Sequence, residues 1–181
     1  MIPIEVCVLA FVMAFGMVGL SRTISRELGA TAGFVALLLA FEILGVRIGP
    51  AAEEGLSAAG FDVGQDLAAW IAYTAAIAAT AFLVYQGETL TYPAIGSPGV
   101  AGKVFDLSVG MLNGWLAVGT WWYYTDRLDY PIARLGMFSG PLTPRAERLV
   151  SLTPVALLPS DRALMYLAAA LVVLLALKVL R

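Results

Sequence analysis

Five apolar runs constrain this chain more than anything else in it: Ile4 to Leu20, Leu28 to Gly49, Asp66 to Gln86, Val104 to Tyr124 and Ala163 to Leu180. Each approaches or exceeds the roughly 20 residues that a helix needs to cross about 30 Å of hydrocarbon, where backbone polar groups must be satisfied within the segment itself. The expected fold is all-α, a polytopic transmembrane helical bundle of about five spans. Composition points the same way. Of 181 residues, 60% are hydrophobic and 13% charged, and the mean hydropathy of +0.86 is far above that of an ordinary water-soluble domain. The first run has no basic leading region and is followed by Arg22 and Arg26, so it reads as a retained span and not as a cleaved leader.

The charged residues exclude more than they suggest. A net charge of -2 with both signs scattered provides no basic stripe for phosphates, so no nucleic-acid partner is expected. Histidine is absent, which removes the commonest ligand for haem iron and transition metals and the usual general base; no metal site and no enzymatic activity are expected. Cys7, the sole cysteine, lies in an apolar run and reads as a small buried hydrophobe. The stretch from Gly96 to Val104 has five residues between Gly96 and Gly102 where a phosphate-binding loop has four, and Val104 stands where that loop has Ser or Thr.

Three segments follow: a four-span membrane core at 1–125, a proline-rich extramembrane or interfacial loop at 126–162, and a C-terminal transmembrane helix at 163–181. Prolines 131, 141, 144, 154 and 159 forbid one continuous helix in the loop. Thr143 and Pro144 can start a short helix with Leu149 and Val150 toward lipid and Arg145 and Arg148 toward water. Residues 50–65, with Glu53, Glu54 and Asp62, read as a polar turn with room for an interfacial helix, and residues 87–103 as irregular. Basic residues are nearly balanced across the connections, and the basic first connection favours an outside amino terminus.

At 100° per residue, Asp106, Gly110, Asn113, Gly114, Ala117 and Thr120 share one face of the fourth span, with Met111, Trp115, Val118 and Trp122 opposite. The small, polar face should meet protein and the bulky face lipid. Gly29, Gly33, Ala36 and Ala40 form a similar stripe in the second span, as do Ala68, Ala72, Ala75 and Ala79 in the third; close approach through small residues holds helices together in lipid. Trp121, Trp122, Tyr123 and Tyr124 form an aromatic belt, a candidate surface for lipid, quinone or pigment. Glu42 lies within the second span, where an unpaired charge costs roughly 2.5–3.5 kcal/mol at the midplane, making it a candidate for a proton or ion path. Asp106 suits the start of the fourth span through the helix dipole, and Glu5 reads as an interfacial anchor.

The stretch from Gly19 to Leu28, GLSRTISREL, resembles the segment between the first two spans of the colicin V production protein family, whose members show a Gly, an Arg, a further Gly and then Arg-Glu. Gly19, Arg22, Arg26 and Glu27 match, and Thr23 stands where the family usually has Gly. The stretch DLSVGMLNG is similar to the family's Asp-Arg-x-x-Gly-x-x-x-Gly pattern through Asp106, Gly110 and Gly114, with Leu107 in place of Arg. The resemblance covers about residues 1–125. It implies a bacterial inner-membrane protein linked to colicin export and envelope integrity, without established enzymatic activity. Arg22 and Arg26 can then clamp anionic headgroups or partners, and Glu27 can cap the second span or pair with Arg26 or Lys103. Expected partners are membrane lipids and other membrane subunits. Two rival readings are an accessory or scaffold subunit of a larger photosynthetic or respiratory complex, holding no cofactor beyond lipid, quinone or pigment without histidine ligation, and a small transporter or channel.

Overall fold

The computed structural model describes residues 3–86, 92, 99–131, 133 and 143–179. Its elements are α1 (Ile4–Ala58), α2 (Gln65–Gln86), α3 (Val100–Gly114), a π-helical turn (Trp115–Gly119), α4 (Thr120–Arg127), α5 (Pro144–Val150), α6 (Pro154–Leu157) and α7 (Ala163–Val179). No strand occurs among the described residues. By length and composition α1 and α2 can each cross a membrane, and α7 is a shorter apolar helix.

The long helix α1 is a hinged pair of arms. Thr23 interrupts it with φ 68 and ψ 154, and the chain reverses there. The first arm (residues 4–22) runs antiparallel to α3, with Gly19 against Gly110 and Val12 against Gly114. The second arm (residues 24–58) runs parallel to it, from Ile24 beside Asp106 to Phe41 beside Tyr124. The rings of Phe15 and Phe34 meet edge-on at 6.5 Å across the two arms.

A residue with a Cβ in the Thr23 conformation is strained, because this region is essentially glycine's own. Strain of this kind costs of order 1–3 kcal/mol, partly offset in glycine by about 0.5–1 kcal/mol of extra backbone entropy. Thr23→Gly is therefore expected to raise the thermal unfolding midpoint of the purified protein, by about 1 kcal/mol in stability. A lowered midpoint would show that Thr23 contributes more than its backbone costs.

From Val100 to Arg127 the backbone is one continuous helical rod, since the residues joining α3, the π turn and α4 all keep right-handed helical angles. Both arms and α2 pack on it. Tyr73 of α2 stacks on Tyr124 at 3.8 Å, and Phe41 sets its edge against both rings at 4.9 and 5.4 Å. Two indole N–H groups fasten α2 to α4: Trp70 Nε1 donates to Thr125 Oγ1 at 3.0 Å and Trp121 Nε1 to Thr74 Oγ1 at 3.2 Å. Helix α7 lays Leu167 against Val35 and Leu38 of the second arm. Tyr92 joins the same region, its N–H bonded to the Ser25 carbonyl and its hydroxyl to that of Leu174.

Several expectations are corrected. The second arm does not stop at Gly49; it continues through Pro50 to Ala58, so the polar turn shrinks to the residues just before Gln65. The rod starts at Val100, four residues earlier than expected. In α2 the alanine stripe packs only at its start: Ala68 is buried and Ala72 half-buried, but Ala75 and Ala79 are exposed, and the buried face continues instead through Tyr73 and Ile77. Ala36 is likewise exposed.

The bulky face of the fourth span is the largest revision. Trp122 is 0% exposed, packed under Ile4, Val8, Ala146 and Val150. Its indole donates to the Tyr130 hydroxyl at 3.1 Å, which donates to Asp126 Oδ1 at 3.0 Å; burial pushes the Tyr130 hydroxyl above its ordinary range. The cover is α5, which starts as its sequence predicts, with Thr143 Oγ1 accepting from Ala146 N at 3.1 Å. The same hydroxyl donates to Glu5 Oε1 at 2.8 Å, so Glu5 ties α5 to the first arm. Val150 therefore turns inward onto Trp122 and not toward lipid, while Arg145 and Arg148 are exposed as expected. Residues 87–91, 93–98 and 134–142, where irregular chain was expected, lie outside the described residues.

Candidate functional site

The hinge at Thr23 leaves the first N–H groups of the second arm without helical partners, as every helix start does. One is supplied from the rod: Ile24 N donates to Asp106 Oδ1 at 2.6 Å. Asp106 thus caps the second arm and not its own helix, where it sits beyond the first turn of α3. The approach is close because glycine faces glycine. A Cβ on Gly19 would lie 2.9 Å from the Cα of Gly110, and one on Gly110 would lie 2.6 Å from the Phe15 carbonyl oxygen and 3.0 Å from the Cα atoms of Gly16 and Gly19.

Glu27, one turn after the hinge, is 0% exposed. Its Oε2 accepts from Asn113 Nδ2 at 2.8 Å and from the Tyr85 hydroxyl at 2.9 Å. Asn113 Nδ2 also donates to the Glu27 carbonyl at 2.9 Å, and Asn113 Oδ1 accepts from the Thr31 hydroxyl at 2.7 Å. The Arg22 guanidinium completes the cluster. Its Nε lies 3.2 Å from Glu27 Oε1, an ion pair whose N–H is not aligned for a hydrogen bond. Its remaining donors go to the last turn of α2: Nη2 to the Val84 carbonyl at 3.0 Å and Nη1 to that of Tyr85. These are carbonyls that a helix end leaves without intrahelical donors. The guanidinium also stands 4.5 Å from the centre of the Tyr85 ring, an arrangement favourable for a cation.

A buried carboxylate surrounded by donors and paired with a half-buried guanidinium is a fastening. It joins four segments: both arms of α1, the end of α2 and the end of α3. Removing Arg22 leaves the buried Glu27 carboxylate without its counter-charge, which is more costly than losing a surface ion pair.

The two sequence motifs, more than eighty residues apart, meet here. Gly19 of the first faces Asp106 and Gly110 of the second, Asp106 accepts from Ile24 just after the hinge, and Glu27 binds Asn113, which stands beside Gly114 at an unspecified position of the second pattern. No protein family, curated protein or solved structure matches this chain.

The other candidate residues fall elsewhere. Arg26 is exposed, and Arg22, expected as a headgroup clamp, points inward. Glu27 pairs with Arg22, not with Arg26 or Lys103. Gly29 is buried in the second arm, and Gly33 faces Val84 of α2. Gly114 meets Phe15 and Val12. The aromatic belt is divided: Trp121 lines an apolar crevice of about 540 Å³ with Phe11, Phe15 and Trp70, Trp122 and Tyr124 are buried, and Tyr123 lines a second cavity that also contains Glu42. Among the described residues no group of three His, Cys, Asp or Glu side chains could hold a metal ion. Thr31 and Tyr85 are partners that the sequence reading missed. Thr31 follows Glu27 by four residues and so shares its helical face, the one available signal; nothing local ties Tyr85 to Glu27.

Proposed function

We propose that this chain is a non-enzymatic, multi-pass protein of a bacterial inner membrane, of the colicin V production type, acting through helix packing and recruitment of membrane partners. The observation that carries this reading is the convergence of its two motifs on one helix crossing. Thr23 adds to it: where the family usually has glycine, the backbone adopts a conformation suited to glycine.

Five spans fit the observed lengths. At about 1.5 Å per residue the first arm is roughly 28 Å long, α2 about 33 Å, the Val100–Arg127 rod about 42 Å and α7 about 26 Å, against roughly 30 Å of hydrocarbon. The second arm exceeds that thickness and would emerge near Pro50. Large apolar side chains exposed along these elements, among them Phe11, Met17, Phe82, Leu83 and Val172, would meet acyl chains or partner helices. The Arg22–Glu27 pair keeps two charges neutralised within the bundle.

Reporter fusions test the layout. Fusions after residues 24 and 140 should report opposite sides of the inner membrane, and one after residue 60 should agree with the one at 140. If 24 and 140 report the same side, the five-span reading fails. Gentle solubilisation tests the role: membrane proteins of the cell envelope should co-elute, whereas stoichiometric redox or pigment proteins would favour the accessory-subunit reading.

A further inference from the structure

A cavity of about 630 Å³ lies where the second arm, α2, α4, α6 and the start of α7 come together. Its volume is within the range of sites that hold small molecules. Its lining combines charge with aromatic surface. Glu42 comes from α1, Asp66 from the first turn of α2, and Arg127 from the last turn of α4; Tyr73, Tyr123 and Tyr124 stand among them. The two carboxylates against one guanidinium leave the cavity with a formal charge of -1. Arg127 is held on its own wall, with Nη1 donating to the Tyr123 hydroxyl at 3.4 Å.

We propose that this cavity binds an organic cation, a protonated or quaternary amine on a compact apolar body, with Glu42 and Asp66 as counter-charges and the tyrosines as the wall against its apolar part. Three observations select this class. The acids are carried by separate helices, so a cation between them is neutralised from both. A bare metal ion is disfavoured, since no third acidic, His or Cys ligand joins the two among the described residues. Aromatic rings beside carboxylates suit organic cations, whose dispersed charge costs less to desolvate than a metal's. Glu42 and Asp66 are both exposed in the chain, so each is accessible to ligand and its replacement should leave the fold intact. This inference is independent of the family reading.

Calorimetric titration of the purified full chain in a neutral maltoside detergent provides the test, with benzyltrimethylammonium chloride as probe. Saturable one-to-one binding is expected, weakened about tenfold or more by Glu42→Gln and by Asp66→Asn, each removing a charged partner. Glu54→Gln, an exposed acid outside the cavity, should bind as wild type does, and Arg127→Gln should bind at least as tightly. Benzoate, of similar size and opposite charge, should not bind. No saturable binding of the ammonium probe, equal weakening by Glu54→Gln, unchanged affinity in both cavity variants, or preference for benzoate would each overturn the proposal. Thermal unfolding of every variant without probe shows that the comparison is among folded proteins.

Discussion

Arg22→Ala is expected to destabilise the protein by about 3–5 kcal/mol, the cost of leaving one member of a buried ion pair without the other. Glu27, buried in the native protein, would keep two neutral donors and no counter-charge, and the Val84 and Tyr85 carbonyls at the end of α2 would lose the guanidinium that serves both. Arg22→Lys should fall between the two, because an ammonium is a point charge that cannot fork across two carbonyls and still reach the carboxylate. The double variant Arg22→Met with Glu27→Met should recover much of the loss, since it removes both charges and leaves an apolar contact. Thermal unfolding of detergent-solubilised protein compares the three variants with the wild type. If Arg22→Ala melts with the wild type, the cluster is not what fastens the hinge.

The legible part of this fold was whatever depended on one helix at a time. The small face of the fourth span is such a case: Gly110, Asn113, Gly114, Ala117 and Thr120 recur at helical spacing, and all five are buried. The start of α5 at Thr143 and Pro144 is another, because a cap and an N1 proline act locally. What could not be read was the choice of partner. Trp122 shows this: a bulky side chain opposite a glycine seam looks like a lipid-facing residue until α5, more than twenty residues later, covers it. Ala75 and Ala79 show the converse, the half of a packing stripe left exposed beyond the buried Ala68 where Tyr73 packs on Tyr124 and Phe41 instead. Within the site, the residue types of both motifs stand out in the sequence, yet the roles it offers Glu27, a cap or a partner for Arg26 or Lys103, do not include Arg22. The Arg22–Glu27 pairing depends on the positive φ at Thr23, and a threonine there conceals the turn that a glycine would have announced.

Gly110→Leu is the second large effect expected. Overpacking a core costs typically 1–3 kcal/mol when neighbouring side chains can give way. At Gly110 the neighbours of an added Cβ are backbone atoms of Phe15, Gly16 and Gly19, so no rotamer change relieves the clash and the first arm must move away from α3. The loss should reach or exceed the upper end of that range, seen as little folded protein and a sharply lowered unfolding midpoint. Gly55, with nothing within 4 Å of an added Cβ, should accept leucine with little change. The two sites are also coupled. Displacing the first arm carries Arg22 away from Glu27 and from the carbonyls at the end of α2, so Arg22→Ala should cost markedly less in a Gly110→Ala background than in the wild type. Additive losses would mean that the glycine crossing and the ion pair are independent, and that the crossing does not set the geometry of the site.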